Sequence, residues 1–341
     1  MEKILVTGGA GFIGCNLADQ FAPKCSKVVI LDNFSRRGSR QNAEWLQQKH
    51  KNLEIVEADI VTDQAALDQA VKGCDAIYHF AAQVAVTTSV KQPRKDFNDN
   101  ALGTFNMLEA TRKNADNAGF FFSSTNKVYG GMEQVKVVEK NNKYGYEDYP
   151  KGIPETMLLD FHSPYGCSNG CADQYVRDYA RIYGMNTVVF RQSCIYGQRQ
   201  FGIEDQGWVA WFVIASALGK KLTIYGDGKQ VRDVLHVDDL IKAYKAAAEQ
   251  IKSTKGKIFN IGGGPKNTMS LLELLGYLEE FYGKKIDVQY SDWRPGDQPV
   301  YISDISKAKK VFGWQPKISV KQGVELLYSW VEKNKEMFKE L

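Results

Sequence analysis

Features that mark several classes of protein are missing from this sequence. It contains no run of about 18 apolar residues that would span a membrane, and its first residues, MEKILVTGG, have neither the basic leader nor the apolar segment of a signal peptide. Six cysteines occur without a C-x-x-C pair and with only four histidines. We therefore expect no disulfide framework, no metal site, no membrane partner and a location in the cytoplasm.

The charged residues are nearly balanced, with 44 Lys and Arg against 40 Asp and Glu in 341 residues. The basic residues are scattered, apart from short groups such as Arg36, Arg37 and Arg40, so no nucleic-acid partner is expected, while a local site for an anion is left open. A composition of 43% hydrophobic residues with 9 Pro and 30 Gly is typical of a globular protein.

Short apolar strands alternate with helix-length segments in the first half of the chain. The predicted strands are residues 3–8, 27–32, 53–59, 75–81, 119–124 and 186–190. This pattern predicts an α/β fold with a doubly wound parallel sheet (Rossmann), covered by helices on both faces. Beyond the sixth strand the pattern is irregular, with helices predicted at 270–282 and from about 318. We expect this smaller, mixed region to hold a substrate over the carboxyl edge of the sheet.

A glycine-rich loop follows the first strand and opens a helix. In TGGAGFIG, residues 7–14, Gly8 permits a tight turn, Gly11 lets the backbone approach a pyrophosphate, and Gly14 allows close helix packing. The helix N-terminus attracts the negative charge of the pyrophosphate. The loop therefore predicts dinucleotide binding.

The end of the second strand bears on which dinucleotide binds. Asp32 is placed to accept both hydroxyls of the adenosine ribose, and its charge repels a 2'-phosphate, which favours NAD over NADP. Arg36 and Arg37, just past the strand, leave NADP as the alternative because basic groups accept such a phosphate. Asp59 and Ile60 are expected to flank the adenine. Residues 1–192 and 231–262 are then predicted to form the NAD-binding domain, and 193–230 and 263–341 the substrate-binding domain.

Two further stretches carry a family resemblance. STNKVYG, residues 124–130, contains Thr125, and SPYGCSNG, residues 163–170, contains Tyr165. With the glycine loop, they make the whole chain resemble the extended short-chain dehydrogenase/reductase family that acts on nucleotide sugars. The resemblance implies that Tyr165 removes a proton from a sugar hydroxyl and that Thr125 shares its hydrogen bond. In the family a lysine four residues after the tyrosine lies on the same helical face, holds the nicotinamide ribose and supplies positive charge.

In this sequence Asn169 occupies the position of that lysine. An unperturbed Tyr has a pKa near 10, so a base that works near pH 7 needs about 4 kcal/mol from nearby positive charge. Asn169 is neutral, and we expect slower chemistry with an apparent pKa moved upward. Three interpretations stay open: a substitution introduced to trap a complex, a natural enzyme of low activity, or a native residue compensated by another cation. Lys127 is one such cation, although a role toward the substrate or the surface is favoured for it.

The resemblance also defines the expected cofactor contacts. The predicted cofactor-binding residues are Gly8, Gly11, Phe12, Ile13, Gly14, Asp32, Asn33, Ser35, Arg36, Asp59, Ile60, Ala81, Asn100, Tyr165 and Asn169.

The residues after Thr125 indicate the type of reaction. Dehydratases of the family carry an Asp-Glu pair there, because elimination of water needs an acid and a base beyond the tyrosine, whereas this chain has Asn126 and Lys127. An epimerase that works through a transient keto-sugar is therefore expected. STNKVYG, LDFHSPYGCS, NTVVFRQSCIYGQRQF and DQGWVAWF are most similar to members of the family that invert C2 of a CDP-linked 3,6-dideoxyhexose in bacterial O-antigen synthesis. The alternatives are an epimerase of another sugar, such as a UDP-hexose 4-epimerase, and a catalytically silent NAD or nucleotide-sugar binding protein.

The substrate side is read from charge and polarity. Arg232 and Arg294 are the expected diphosphate ligands, since a guanidinium binds two phosphate oxygens at once; the alternative pairs them with a neighbouring Asp233 or Asp297. The predicted substrate-binding residues are Gln83, Thr125, Asn126, Ser193, Cys194, Trp208, Arg232 and Arg294. The family resemblance further implies a homodimer or homotetramer that pairs helices at about 95–114 and 165–183.

Overall fold

The computed structural model describes residues 1–294 and 297–339. The strands are β1 (Lys3–Thr7), β2 (Lys27–Asp32), β3 (Leu53–Glu57), β4 (Ala76–His79), β5 (Gly119–Thr125), β6 (Val137–Lys140), β7 (Lys143–Tyr146), β8 (Asn186–Gln192), β9 (Cys194–Tyr196), β10 (Leu222–Tyr225), β11 (Val231–His236), β12 (Lys257–Ile261), β13 (Thr268–Ser270), β14 (Val288–Ser291) and β15 (Val300–Tyr301). The helices are α1 (Phe12–Phe21), α2 (Ser39–Lys49), α3 (Gln64–Val71), α4 (Val86–Lys91), α5 (Pro93–Phe97), α6 (Gly103–Asn114), α7 (Ser163–Ile182), α8 (Trp208–Ala217), α9 (Val237–Glu249), α10 (Ile251–Thr254), α11 (Leu271–Tyr282), α12 (Ser306–Phe312) and α13 (Val320–Lys333).

The main sheet contains seven parallel strands in the order β12-β8-β5-β4-β1-β2-β3. The chain runs outward from β1 through β2 to β3, and then continues with β4 on the other side of β1. The carboxyl ends of β1 and β4 therefore form the crevice in which ligands bind in sheets of this kind. The parallel sheet predicted from the sequence is confirmed.

Both faces of the sheet are covered by helices. On one face Leu17 of α1 and Leu240 of α9 are buried against the strands, and on the other Leu67 of α3 and Val176 of α7 are buried. Full burial of such a side chain stabilises the fold by about 1.5–3 kcal/mol. These two layers explain why the strands are apolar on both faces.

The remaining strands form a smaller, separate layer. β11 lies between β13 and β15 and also pairs with β9, while β10 pairs with β14. Helices α8, α11 and α13 enclose a third hydrophobic core beside these strands. Ser270 and Ser319 begin α11 and α13 with complete capping boxes, and both helices are predicted from their apolar pattern.

Two details differ from the sequence prediction. The long helix expected at about 95–114 is divided into α5, a π-helical turn at Asn98–Leu102, and α6. β11 belongs to the smaller layer, whereas β12 joins the main sheet; the division of the chain into two domains stays a prediction. In the described part of the chain, no helix has the length and apolar character needed to cross a membrane.

Candidate active site

The loop between β1 and α1 has room for a ligand only because its glycines lack side chains. Gly8 has φ of 62°, and a Cβ there would lie 2.7 Å from the backbone nitrogen of Ala81. A Cβ on Gly14 would lie 2.3 Å from the Gly8 carbonyl oxygen. Helix α1 is capped at Gly11 without a side-chain hydrogen bond and has no acidic residue in its first turn. Its free N–H groups are therefore available to an anion.

Asp32 lies at the carboxyl end of β2, beside this loop. Its carboxylate accepts hydrogen bonds from the backbone N–H groups of Ala10 (3.1 Å) and Phe34 (2.9 Å). Burial raises the pKa of Asp32, although these N–H groups and Arg36 act in the opposite direction. The carboxylate is thus fixed in orientation and keeps lone pairs for the hydroxyls of a ribose.

The predicted cofactor residues come together around one cavity. Those that line it are Gly8, Gly11, Phe12, Ile13, Gly14, Asp32, Asn33, Ser35, Arg36, Asp59, Ile60, Ala81, Tyr165 and Asn169. At its adenosine end, the Asn33 side chain donates to Asp59 (2.8 Å) and accepts from the Ser35 hydroxyl (2.7 Å). The glycine cradle and the oriented Asp32 fit a dinucleotide.

Asn100 is an exception among these residues. Its side chain is buried behind the cavity wall, where it accepts from the backbone N–H of Gln83 (2.8 Å) and donates to Asp96 (3.2 Å) and Ser168 (3.0 Å). Gln83, predicted to bind substrate, is similarly occupied, because its amide donates to Asp96 (2.7 Å) and to the carbonyl of Ala85 (2.8 Å). These two residues fix the loop after β4 against α7, and we correct their predicted roles from ligand contact to support.

Thr125 and Tyr165 lie where the dinucleotide cavity meets a second cavity, and both residues line both cavities. Thr125 ends β5, and Tyr165 is the third residue of α7. Of the three residues predicted to be catalytic, Thr125, Tyr165 and Asn169, the first two are therefore brought together at the carboxyl edge of the sheet, between the space for a cofactor and the space for a substrate.

The electrostatic environment of Tyr165 is mixed. Burial raises the pKa of its phenol, and the charge of Asp96 adds to this effect. The Thr125 hydroxyl and the Arg36 guanidinium lower the pKa, and the first turn of a 20-residue helix contributes partial positive charge. Burial is the largest of these effects, so the pKa of the Tyr165 phenol is raised above its ordinary value.

Asn169 lies on the same face of α7 as Tyr165, as the sequence predicted. Its side chain lines the dinucleotide cavity, but its amide donates to the backbone carbonyl of Tyr165 at 2.9 Å. The amide of Asn169 is therefore hydrogen-bonded within α7 and supplies no charge to the phenol of Tyr165.

Arg36 is the cation that acts on the phenol of Tyr165. The Arg36 guanidinium donates to the side-chain oxygen of Gln206, which lines both cavities. Burial lowers the pKa of Arg36, and Tyr165 and Asp32 oppose this effect.

A buried ion pair fixes the catalytic elements. Arg191 of β8 binds Asp173 of α7 through two hydrogen bonds of 2.9 Å, and Ser124, beside Thr125, donates to the same carboxylate at 2.8 Å. Arg191 and Asp173 are no more than 2% exposed. Since Asp173 lies two helical turns after Tyr165, this pair sets the position of α7 on the sheet. No local pattern in the sequence predicts this pair, because Asp173 and Arg191 lie on different elements.

The second cavity contains most of the predicted substrate residues. Thr125, Cys194, Trp208, Arg232 and Arg294 line it, together with Val84, Lys127 and Trp211. Arg232 pairs with Asp297 at 2.6 Å, and Arg294 lies 3.3 Å from Asp205. Both arginines thus line the cavity and also pair with a carboxylate, and their role as diphosphate ligands stays a prediction.

Ser193 and Asn126 lie elsewhere than predicted. Ser193 lines the dinucleotide cavity, and its hydroxyl donates to the Asp233 carbonyl (2.9 Å) and carboxylate. Asn126 lies beside Thr125, whose hydroxyl donates to its amide oxygen at 3.3 Å. Neither residue lines the second cavity, because Ser193 is bonded to Asp233 and Asn126 to Thr125.

The segment 198–206, which follows β9, covers the dinucleotide cavity. The Gln198 carbonyl accepts from Asn16 of α1 at 2.9 Å, and the Arg199 guanidinium lies 3.8 Å from the ring centre of Trp45 in α2. Arg199, Gln200 and Gln206 line the cavity. The only sequence signal for these residues was the polar run GQRQ after a predicted strand.

The glycine loop lies at the crevice between β1 and β4, and Thr125 and Tyr165 lie where the two cavities meet. This combination is typical of the short-chain dehydrogenases/reductases. Within this class, the family model described as GDP-mannose 4,6 dehydratase matches residues 5–327, so the chain belongs to that family of extended members.

Individual relatives extend over nearly the whole chain. The chain is 46% identical over 336 residues to the CDP-paratose 2-epimerase of Salmonella typhi, covering 96% of this chain and 98% of that protein. It resembles the UDP-glucose 4-epimerase of Thermotoga maritima, solved with UDP-glucose, with a TM-score of 0.83 and 32% identity over 97% and 99% of the two chains. It also resembles DesIV of Streptomyces venezuelae, a dTDP-glucose 4,6-dehydratase solved with NAD and TYD, with a TM-score of 0.85 and 27% identity over 99% of both chains.

Proposed function

We propose that this protein is an NAD-dependent epimerase that inverts C2 of a CDP-linked 3,6-dideoxyhexose and so interconverts CDP-paratose and CDP-tyvelose. The similarity that carries the proposal is the 46% identity, over 96% of the chain, to the CDP-paratose 2-epimerase of Salmonella typhi. Membership of a family of nucleotide-sugar epimerases and dehydratases supports the coarser activity.

The chemistry of the second cavity supports the finer proposal. Asn126 and Lys127 replace the acidic pair that elimination of water requires, which favours epimerisation. A 3,6-dideoxyhexose has fewer hydroxyls than glucose, and Val84, Cys194 and Trp208 give its cavity an apolar wall.

NAD, which is bound in a structural neighbour of this chain, supplies reversible oxidation at the sugar carbon. Gly8, Gly11 and Gly14 would hold its pyrophosphate and Asp32 its adenosine ribose. Tyr165, at the junction of the cavities, receives the proton of the sugar hydroxyl on its phenolate oxygen and later returns it. Thr125 orients the same oxygen, and the enclosed cavity keeps the keto-sugar away from water.

We further propose that Asn169 slows this reaction. The phenolate of Tyr165 forms only when the proton is lost, and burial raises the pKa of that phenol. A neutral residue at position 169 leaves the Thr125 hydroxyl, the helix terminus and Arg36 to oppose burial.

The test is the rate at which the NAD-loaded protein interconverts CDP-paratose and CDP-tyvelose, compared with UDP-glucose and UDP-galactose. We expect turnover of the CDP sugars and a rate that increases with pH. Faster turnover of the UDP sugars would instead support a 4-epimerase, and tight binding of both ligands without turnover up to pH 10 would support a silent binding protein.

We also propose that the protein forms a homodimer through α6 and α7. Phe105, Tyr175 and Ile182 on these helices are 37%, 46% and 66% exposed, which leaves an apolar face uncovered. Sedimentation at micromolar concentration should give twice the mass of one chain, and Ile182→Glu should give single chains.

A further inference from the structure

Lys127 lies at the wall of the substrate cavity, two residues after Thr125. Its ammonium group donates to the side-chain oxygen of Gln298 at 3.2 Å. Gln298 is itself held in place, because its amide donates to the Gly130 carbonyl. Of the three donors on the Lys127 ammonium, the described residues use one, and the cavity is open to the others.

The charges around Lys127 do not neutralise it. Among residues 1–294 and 297–339, no carboxylate lies within 4.0 Å of its ammonium nitrogen, and Asp297 is instead bound to Arg232 at 2.6 Å. Burial and the Arg232 guanidinium lower the pKa of Lys127 to about 8, while Asp297 and Cys194 raise it. The other charged or titratable groups of the same cavity are Tyr165, Glu204, Asp205, Tyr225 and Arg294. Lys127 lies near the cation Arg232 and has no carboxylate of its own in the described part of the chain, so this part of the cavity favours a negatively charged ligand.

The position of Lys127 indicates which part of the ligand it meets. The backbone N–H of Lys127 donates to the Thr125 hydroxyl oxygen at 3.2 Å, so the residue lies at the catalytic end of the cavity. Arg294, which lines the same cavity, donates to the Glu204 carbonyl at 3.2 Å. The part of a nucleotide-diphosphate sugar nearest to the reacting sugar is the phosphate attached to it.

We propose that Lys127 binds the sugar-linked phosphate of the substrate, as a third cation beside Arg232 and Arg294. This inference rests on the proposed function, since it requires a nucleotide-diphosphate substrate. It assigns Lys127 to substrate binding and not to replacement of the missing lysine, because the cation that acts on Tyr165 is Arg36.

The test compares CDP, which carries both phosphates, with CMP, which lacks the second one, by calorimetric titration of the NAD-loaded protein. Lys127→Met should weaken CDP binding by about 10- to 100-fold, the value of a charge-assisted hydrogen bond, and change CMP binding by less than about 2-fold. Lys127→Arg should retain most of the CDP affinity. Lys113→Met, on the exposed face of α6, is the matched control and should bind both nucleotides like the parent.

The unmodified protein gives a second, independent measurement. Binding of a phosphate should return the proton to Lys127, so CDP binding at pH 8 should take up protons, measured in two buffers of different ionisation enthalpy. CDP affinity should decrease from pH 7 to pH 9, and Lys127→Met should lose this dependence.

Two results overturn the inference alone: equal CDP affinity in Lys127→Met, or equal losses for CDP and CMP. If the unmodified protein binds UDP but not CDP, the proposed nucleotide is refuted. The role of Lys127 would then be tested by the same titrations with UDP and UMP. Failure to bind either diphosphate would overturn both proposals.

Discussion

The side-chain amide of Asn169 donates to the backbone carbonyl of Tyr165, one helical turn before it, at 2.9 Å. Asn169 is 4% exposed, so this bond occupies a buried donor that would otherwise be unsatisfied. The residue at the position where the family resemblance implies a lysine is thus hydrogen-bonded to its own helix. The phenol of Tyr165 is left with a pKa raised by burial.

Asn169→Lys should restore that charge. We expect kcat at pH 7 to increase by about 100-fold, which corresponds to about 2.7 kcal/mol of transition-state stabilisation, and the rise of the rate with pH to begin at lower pH. The measurement is CDP-paratose turnover between pH 6 and pH 10 at saturating NAD. An unchanged rate would mean that another group already lowers the pKa of Tyr165.

Arg36→Met should have the opposite effect on the phenol. Since Arg36 lowers the pKa of Tyr165, its removal should raise the apparent pKa of kcat by about one unit, so that activity is lost near pH 7 and recovered at higher pH. Arg37→Met, in the same cavity, is the control. Equal shifts in both variants would show that general charge, and not Arg36 itself, is responsible.

Tyr165→Phe should separate catalysis from binding. Loss of the base should lower kcat by about 10²- to 10⁴-fold, while NAD and CDP affinities stay within about 2-fold of those of the parent. Titration calorimetry and turnover check the two parts. Substantial remaining activity would remove Tyr165 from the mechanism.

Asp173→Asn should destabilise the fold strongly. The substitution leaves the Arg191 guanidinium buried without its carboxylate, and loss of one partner of such a pair costs about 3–5 kcal/mol. Urea unfolding measures the change. Asp178→Asn, on the same helix, removes an exposed pair with Arg181 of 4.0 Å and should change stability by less than about 1 kcal/mol. Similar effects in the two variants would contradict the role given to the buried pair.

Gly14→Ala should abolish dinucleotide binding, because its Cβ would lie 2.3 Å from the Gly8 carbonyl oxygen. Gly276→Ala is the control, since a Cβ at this position in α11 meets nothing within 4 Å, and alanine there should stabilise the helix by about 0.5–1 kcal/mol. NAD titration and thermal unfolding of both variants check this pair. Retained NAD binding by Gly14→Ala would show that the loop moves to accept the methyl group.

The sequence by itself determined the features that depend on neighbouring residues. The glycine loop, Asp32 at a strand end and the spacing of Tyr165 and Asn169 follow from local backbone geometry, because a strand, a tight turn and a helix each have a fixed period. The alternation of apolar strands and helices predicted the parallel sheet, and the glycine loop with Asp32 predicted a dinucleotide site at its edge. Apolar periodicity indicated the last long helices, and the structure adds that Ser270 and Ser319 cap them.

Only the tertiary structure decided which side chains face a ligand and which support the site. Gln83 and Asn100 were predicted as ligand contacts, yet both are buried in a network around Asp96. The Asp173–Arg191 pair and the proximity of Lys127 to Arg232 join residues from distant parts of the chain. Such contacts depend on how strands and helices pack, and no local period in the sequence encodes that packing.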